Sequence, residues 1–210
     1  MAKKHKKAHN MSMSVGGILL RMYATLGSAI LAGILNMAWC KANFLKPLQK
    51  PLDAGKKYHD GKRIFGDNKT WKGLVGYILL NSFSMVLFGA IFQALNWNQY
   101  SFIYQNHANT PLFNLWVGAL IGLVYALFEL PNSFLKRRLG IKPGKTAKGW
   151  LRAFFVFLDQ ADSIFGLCLV VCIFYAMSPL LYLAYVLVGA ATHILINILL
   201  YFAHLRKNMF

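Results

Sequence analysis

Five apolar runs, each close to the length that crosses a bilayer, limit what this chain can fold into. They cover about 15–39, 74–95, 112–130, 153–177 and 179–203. A hydrocarbon core takes roughly 20 helical residues, and only segments that satisfy their own backbone groups can sit in it. In 210 residues these runs leave no room for a separate soluble domain. A composition of 57% hydrophobic residues and a mean hydropathy of +0.45 agree. The expected architecture is all-α: a polytopic integral membrane protein with about five transmembrane helices, residues 1–210 forming one membrane domain after a basic tail at 1–14.

The charges orient these spans. Residues 40–73 carry nine Lys or Arg and residues 131–152 carry seven, whereas 96–111 carry none. Positive charge collects in cytoplasmic loops and beside anionic lipid. The two basic loops and the C-terminal tail are therefore expected on the cytoplasmic side of the cell membrane. Five spans then put the N-terminus outside, in conflict with the four lysines among residues 1–14. A re-entrant first segment would also remove the conflict. Arg21, near the start of the first run, is expected to snorkel to an interface. The net charge of +17 is read as membrane-side charge, not as a nucleic-acid footprint.

Cys40, Cys168 and Cys172 show no CxxC spacing and read as reduced packing residues. No HExxH or Cys/His cluster suggests zinc. His193 and Asn197, at i and i+4, suit an interhelical hydrogen bond better than a ligand role.

Only six carboxylates occur, namely Asp53, Asp60, Asp67, Glu129, Asp159 and Asp162. All fall in, or at the membrane border of, the two basic loops. In FFVFLDQADSIFG (154–166), Asp159 and Asp162 lie one helical turn apart between apolar residues. Two bare carboxylates so placed repel each other and lose solvation. Either a divalent metal compensates them or they pair with Lys148 or Arg152. Magnesium suits an all-oxygen site that also takes phosphates.

In ELPNSFLKRRLGIKPGK (129–145), Pro131 can open a short helix and Gly140 can close it. Glu129, Ser133 and Lys136 or Arg137 then share a face that offers an acid, a hydroxyl and cations. That face is either a grip on a phosphate and its metal or an ordinary basic loop. KRIFGDNKTWKG (62–73) is not a Walker A loop, which needs GxxxxGK[ST]. Its Gly66-Asp67-Asn68-Lys69-Thr70 turn is either a phosphate-binding element, with Asp67 orienting the turn or Lys69 and Lys72 adding charge, or a capped helix start.

Together the stretches LDAGKKYHDGKRIFGDNKTWKG, ELPNSFLKRRLGIKPGK and LDQADSIFG, in this order, resemble the CDP-archaeol synthase family. These are integral membrane cytidylyltransferases similar to CDP-diacylglycerol synthases. The resemblance implies CTP and a lipid phosphate as substrates, with CDP-lipid and pyrophosphate as products, magnesium as cofactor and membrane lipids as neighbours. A homodimer is one assembly open to such a bundle. By the same resemblance Asp159 and Asp162, with Glu129, belong to a metal site. Lys136 and Arg137 bind phosphate, and Asp67, Asn68, Lys69, Thr70 and Ser133 belong to the nucleotide site. Phe128-Glu129 stands where the family usually has Gly-Asp. The competing readings are another lipid-phosphate or polyprenyl-phosphate transferase, a transporter, and a non-catalytic anionic-lipid binder.

The charge distribution makes a direct topological prediction. Asp60→Cys and Lys142→Cys, each the sole cysteine of the chain, should resist an impermeant thiol reagent applied to intact cells. Strong labelling of both from outside would reverse the orientation.

Overall fold

The structure, a computed structural model, describes residues 14–204. The first thirteen residues of the basic tail and the last six residues lie outside the described residues. Five long helices follow in order: α1 (Val15–Lys41), α2 (Trp71–Ala94), α3 (Pro111–Arg138), α4 (Leu151–Phe174) and α5 (Pro179–Phe202). At about 1.5 Å per residue each is long enough to cross a bilayer, and all five have the hydropathy of membrane spans. The protein is an integral multi-pass membrane protein, and α1 is one unbroken helix of 27 residues, which removes the re-entrant alternative.

Local chemistry sets the helix starts. Thr70 accepts a hydrogen bond from Gly73 N (3.1 Å), so α2 begins at Trp71, three residues before the apolar run. Thr110 and Ser178 cap α3 and α5 in the same way, each followed by a proline at the first helical position. Gly140, at φ +74°, ends α3. The amides of Gly140 and Ile141 return to the carbonyls of Arg137 and Lys136, at 3.1 and 2.9 Å.

One expectation fails at the other end of that stretch. Pro131 does not open a new helix but lies inside α3. Its missing N–H removes one rung of the ladder, which membrane helices tolerate where neighbouring contacts hold both sides. Here residues on both sides of Pro131 bind other elements, as described below. The basic loops accordingly shrink to 42–70 and 139–150.

The helices pack in chain order, each against the next, while α1 and α5 touch only slightly. The α2–α3 contact is the most extensive. Gly118 and Gly122 of α3 allow it: a Cβ at Gly118 would lie 2.6 Å from Ser82 Cα, and one at Gly122 would enter the Tyr77–Ile78 backbone. Close approach through small residues is the usual basis of helix pairing in lipid.

At one end of the bundle the neutral loop folds inward. Phe102 and Ile103 are fully buried, and Phe102 N donates to Thr25 Oγ1 at 3.0 Å. Arg21 reaches this end and donates to Gln105 Oε1 at 3.4 Å, consistent with its expected reach toward an interface.

At the opposite end the loop 42–70 is organised around Asp53. Its carboxylate is shut off from solvent, with a side-chain exposure of 0%. It accepts from Gly55 N (3.1 Å), Phe65 N (3.0 Å), Gly66 N (2.9 Å) and the Arg63 guanidinium (2.6 Å to Nη2). Burial alone would raise its pKa, but the Arg63 pair and the three backbone donors hold it well below the usual carboxylate range. The loop is then sewn to the start of α2 by Leu52 N to Lys69 O (2.7 Å) and Trp71 N to Lys50 O (3.1 Å). It is tied to the end of α3 by Arg138, which donates to Asp60 Oδ1 at 2.9 Å between the rings of Tyr58 and Phe134.

Asp53 is thus the hub of the loop that carries Lys69. Asp53→Asn should destabilise the protein by about 2–3 kcal/mol at neutral pH, the value of charged hydrogen bonds lost from a buried site. Because its folded pKa is depressed, this stability is present above the ordinary carboxylate range and fades as pH falls below it. The gap in thermal stability between wild type and Asp53→Asn should therefore narrow in acid. A gap that widens in acid would contradict the assignment.

Candidate active site

The carboxylates meet where α3 and α4 face each other at the end that carries the basic loops. On α3, Glu129, Asn132, Ser133, Lys136 and Arg137 recur at helical spacing on one face. On α4, Asp159 and Asp162 lie one turn apart on the face turned toward it. Asn132 joins the pair by donating from Nδ2 to Asp159 Oδ1 (2.7 Å) and Asp162 Oδ2 (2.8 Å). Lys136 Nζ lies 2.5 Å from both oxygens of Asp159, and Ser163 N donates to Asp162 Oδ1 at 2.6 Å. The cation that compensates the pair is therefore Lys136, not the Lys148 or Arg152 weighed on sequence grounds. Proximity in sequence favoured those two, but α3 brings its own cation across.

The loop 42–70 contributes the next partner. Lys69 Nζ forms a short ion pair with Glu129 Oε2, and Tyr77 OH donates to the other oxygen at 3.3 Å. Burial pulls the Lys69 pKa down, but Glu129, followed by Asp162 and Asp159, raises it overall, so Lys69 stays charged. Gly66, three residues earlier, is held against the second basic loop. At φ +108° only glycine is at ease there, and a Cβ would lie 2.7 Å from Pro143 Cγ. This contact brings Lys69 and Lys145 to the same cavity.

The cavity has a volume of about 590 Å³. Its polar end is lined by five cations (Lys41, Lys69, Lys136, Arg137 and Lys145) against three carboxylates (Glu129, Asp159 and Asp162). Arg137 is only 6% exposed, and its Nη1 has no hydrogen-bond partner among the described residues. A buried guanidinium left so is expensive unless an anion completes it. From this end the cavity runs between α1 and α5, where Leu26, Ala29, Ile30, Ile34, Ile196 and Leu200 make it apolar. The site therefore joins a charged end to an apolar part within one cavity.

Most of the sequence candidates meet here. Asn68, Lys69, Glu129, Ser133, Lys136, Arg137, Asp159 and Asp162 all line the cavity. Asp67 does not: its side chain is 73% exposed and pairs with Arg63 at 2.6 Å. Thr70 caps α2 and lines a smaller neighbouring cavity of about 360 Å³. Lys72, read as a second phosphate-directed charge, is 1% exposed and donates to Ala42 O at 2.5 Å, closing the end of α1. Sequence reasoning missed Asn132, Tyr77 and Gln160. Gln160 accepts from Asn197 Nδ2 at 2.6 Å and its carbonyl lies 3.3 Å from His193 Nδ1, which ties α4 to α5 as the i, i+4 pair on α5 suggested. Asn132, three residues after Glu129 and four before Lys136, falls on the face they share, so the same helical spacing could have found it.

The donor set fits a magnesium ion only in part. Among the described residues no group of three His, Cys, Asp or Glu forms a ready metal cage. Two adjacent carboxylates are nonetheless what magnesium uses when substrate phosphates supply the remaining ligands. The ion pairs also give opposite expectations for two variants. Asp162→Asn removes a like charge beside Asp159 and should leave thermal stability unchanged or higher. Lys136→Met leaves the half-buried Asp159 without its cation beside the buried Asp162 and should lower stability by about 1–2 kcal/mol. Equal losses in both would mean that the pair is not held by this compensation.

Comparison with known proteins shows the family. The family model for CDP-archaeol synthase, CarS-like, matches residues 23–210. The CDP-archaeol synthase of Pyrococcus furiosus is 38% identical over 104 residues, 47% of this chain and 52% of that protein. That of Methanoculleus marisnigri is 36% identical over 126 residues, 59% and 64% of the two chains. That of Thermofilum pendens is 32% identical over 148 residues, 70% and 59%. The chain thus spans between about half and two thirds of the length of these curated relatives. A solved structure of an intramembrane enzyme for archaeal membrane lipid biosynthesis superposes with a TM-score of 0.57 at 22% identity, over 84% of this chain and 92% of that one, a likeness of fold. Since the family match runs through all five helices and both basic loops, this chain belongs to the CDP-archaeol synthase, CarS-like, family.

Proposed function

We propose that the protein is a CTP-dependent cytidylyltransferase of the membrane, converting an archaeol-type lipid phosphate to its CDP-lipid with release of pyrophosphate. The observation that carries this reading is the single cavity that joins a cation-rich end bearing carboxylates to an apolar passage between α1 and α5. A lipid phosphate matches both parts at once. A transporter would need a site near mid-membrane, whereas the charged groups here cluster at one end. An anionic-lipid binder would need the cations but not Asp159 and Asp162.

In the reaction an oxygen of the lipid phosphate attacks the α-phosphorus of CTP. A new P–O–P link forms, the bond to the β-phosphate breaks, and its electron pair leaves with pyrophosphate. No general base is needed, because a phosphate monoester is already ionised at neutral pH. Lys136 and Arg137, side by side on α3, offset the charge of the reacting phosphates. Arg137 Nη1 gains the anionic partner it lacks, and Lys136 is released from Asp159 to follow the phosphates. Lys69 enters from the loop 42–70 with Asn68 and is kept in place by Glu129, whose second oxygen Tyr77 holds. Magnesium bound by Asp159 and Asp162, together with phosphate oxygens, would supply further charge neutralisation at the leaving group. Glu129 is the third carboxylate within the cavity. Charge distribution supports a reaction on the cytoplasmic side.

The purified full chain, given labelled CTP, magnesium and an archaeol-type lipid phosphate, should yield labelled CDP-lipid and pyrophosphate. Chelation of magnesium should abolish the yield. Asp159→Asn and Asp162→Asn should each lower turnover by orders of magnitude while the protein stays folded. The double variant should lose little more than either single one, as expected for residues that act as a unit. A folded, fully active Asp162→Asn protein would remove the core of this reading.

A further inference from the structure

Asn132 touches both aspartates, and its two polar atoms are used unequally. The residue is only 7% exposed. Its Nδ2 gives hydrogens to Asp159 Oδ1 at 2.7 Å and to Asp162 Oδ2 at 2.8 Å. Its Oδ1, on the same carboxamide, is shut off from solvent and has no hydrogen-bond partner among the described residues. A buried carbonyl oxygen without a donor is costly and calls for an account. Ionised carboxylates only accept hydrogen bonds. When no cation stands between them they need the NH2 end of the amide, and Oδ1 is left over.

A divalent cation reverses that requirement. Bound to the same two carboxylate oxygens, it would face the Nδ2 hydrogens with positive charge, whereas the carbonyl end would be drawn to it. The two ends of a carboxamide are nearly equal in size, and its terminal torsion is soft and roughly two-fold, so a half-turn exchanges them in place. The spacing suits a ligand as well. Octahedral magnesium, with bonds of about 2.0–2.1 Å, sets neighbouring ligand oxygens about 3 Å apart. Nδ2, whose place Oδ1 would take, lies 2.7 and 2.8 Å from the two carboxylate oxygens. The third acid of the cavity is less available, because Lys69 and Tyr77 engage both oxygens of Glu129.

We infer that Asn132 is a switching ligand: its amide bridges Asp159 and Asp162 when no cation is bound, and makes a half-turn to give Oδ1 to magnesium when one is. The inference rests on the proposed function for the presence of the metal. It gives the ion a third protein oxygen from a neutral side chain. A neutral ligand adds coordination without adding a third negative charge to carboxylates that already repel each other. The half-turn also gives the buried Oδ1 the partner it lacks.

The test uses the purified full chain, with Mg2+ or Mn2+ alone as the probe. In wild type labelled at the asparagine side-chain nitrogens, the Asn132 amide protons should move upfield in the NMR spectrum as Mg2+ is added, because they lose their carboxylate acceptors. Asn132→Ala, or Asn132→Leu should the first not fold, identifies that signal by its absence. The same variant should bind Mn2+ about tenfold more weakly or worse, read from the EPR signal of the free ion. Asn132→Asp, which keeps an oxygen at this place, should bind Mn2+ at least as tightly as wild type and be less stable than wild type without metal. Amide protons that stay in place or move downfield would overturn the inference and leave Asn132 a donor that only positions the two aspartates. So would a Mn2+ affinity that is unchanged or raised in Asn132→Ala or Asn132→Leu, and so would wild type that binds no Mn2+. None of these results touches the yield of CDP-lipid, on which the proposed function is judged. Wild type that binds metal through Asn132 but yields no CDP-lipid would keep the ligand and remove the proposed function.

Discussion

Two carboxylates one turn apart at the edge of a membrane are the constraint around which this bundle is arranged. Asp159 and Asp162 repel each other, and the hydrocarbon beside them offers no solvation. Compensation comes from a different helix: Asn132 bonds both carboxylates and Lys136 pairs with the first. This network fixes how α3 and α4 face each other. It also accounts for the unbroken course of α3 through Pro131, because residues on both sides of the proline are bound to other elements. Gln160, between the two aspartates, is bound in turn to Asn197 of α5, so α4 is held on two sides.

The loop 42–70 solves a related problem in a different way. It carries seven of the 23 Lys and Arg of the chain, yet it is an ordered structure. The buried Asp53 collects a guanidinium and three backbone donors, and the loop closes around it. One acid thereby turns a basic segment into a platform that presents Lys69 to Glu129. Arg138, between Tyr58 and Phe134, fastens that platform to α3. Two of the six acids in the chain, Asp53 and Asp60, work in the platform, Asp67 pairs with Arg63 at its rim, and three line the cavity.

The cavity inherits its two-sided character from these arrangements. Its charged end is built where α3, α4 and both basic loops converge. Its apolar part exists because α1 and α5, first and last in the chain, close the bundle without packing tightly. Charged end and apolar part are therefore one continuous space, which is what the proposed amphiphilic substrate needs. At the far end the loop after α2 sinks Phe102 and Ile103 into the bundle and fills it with apolar side chains.

Much of this was legible in the sequence, for a physical reason. Apolar runs of spanning length have one folded outcome in lipid, so the five helices followed from hydropathy. Helix limits followed where the signals are local, as at Gly140 and Ser178. The pairing of Asp159 with Asp162 followed because i, i+3 neighbours share a helix face whatever surrounds them. Tertiary structure alone decided the rest. Which cation compensates the aspartates depended on α3 crossing α4, not on the nearness of Lys148 or Arg152 in the chain. Lys72 and Lys69 stand in one loop-to-helix stretch with the same chemistry. Packing buries the first against the end of α1 and leaves the second in the cavity, because successive turns of chain face different neighbours. Asn132 and Tyr77 carry no motif at all, and what each does is set by the atoms that another helix brings in front of it.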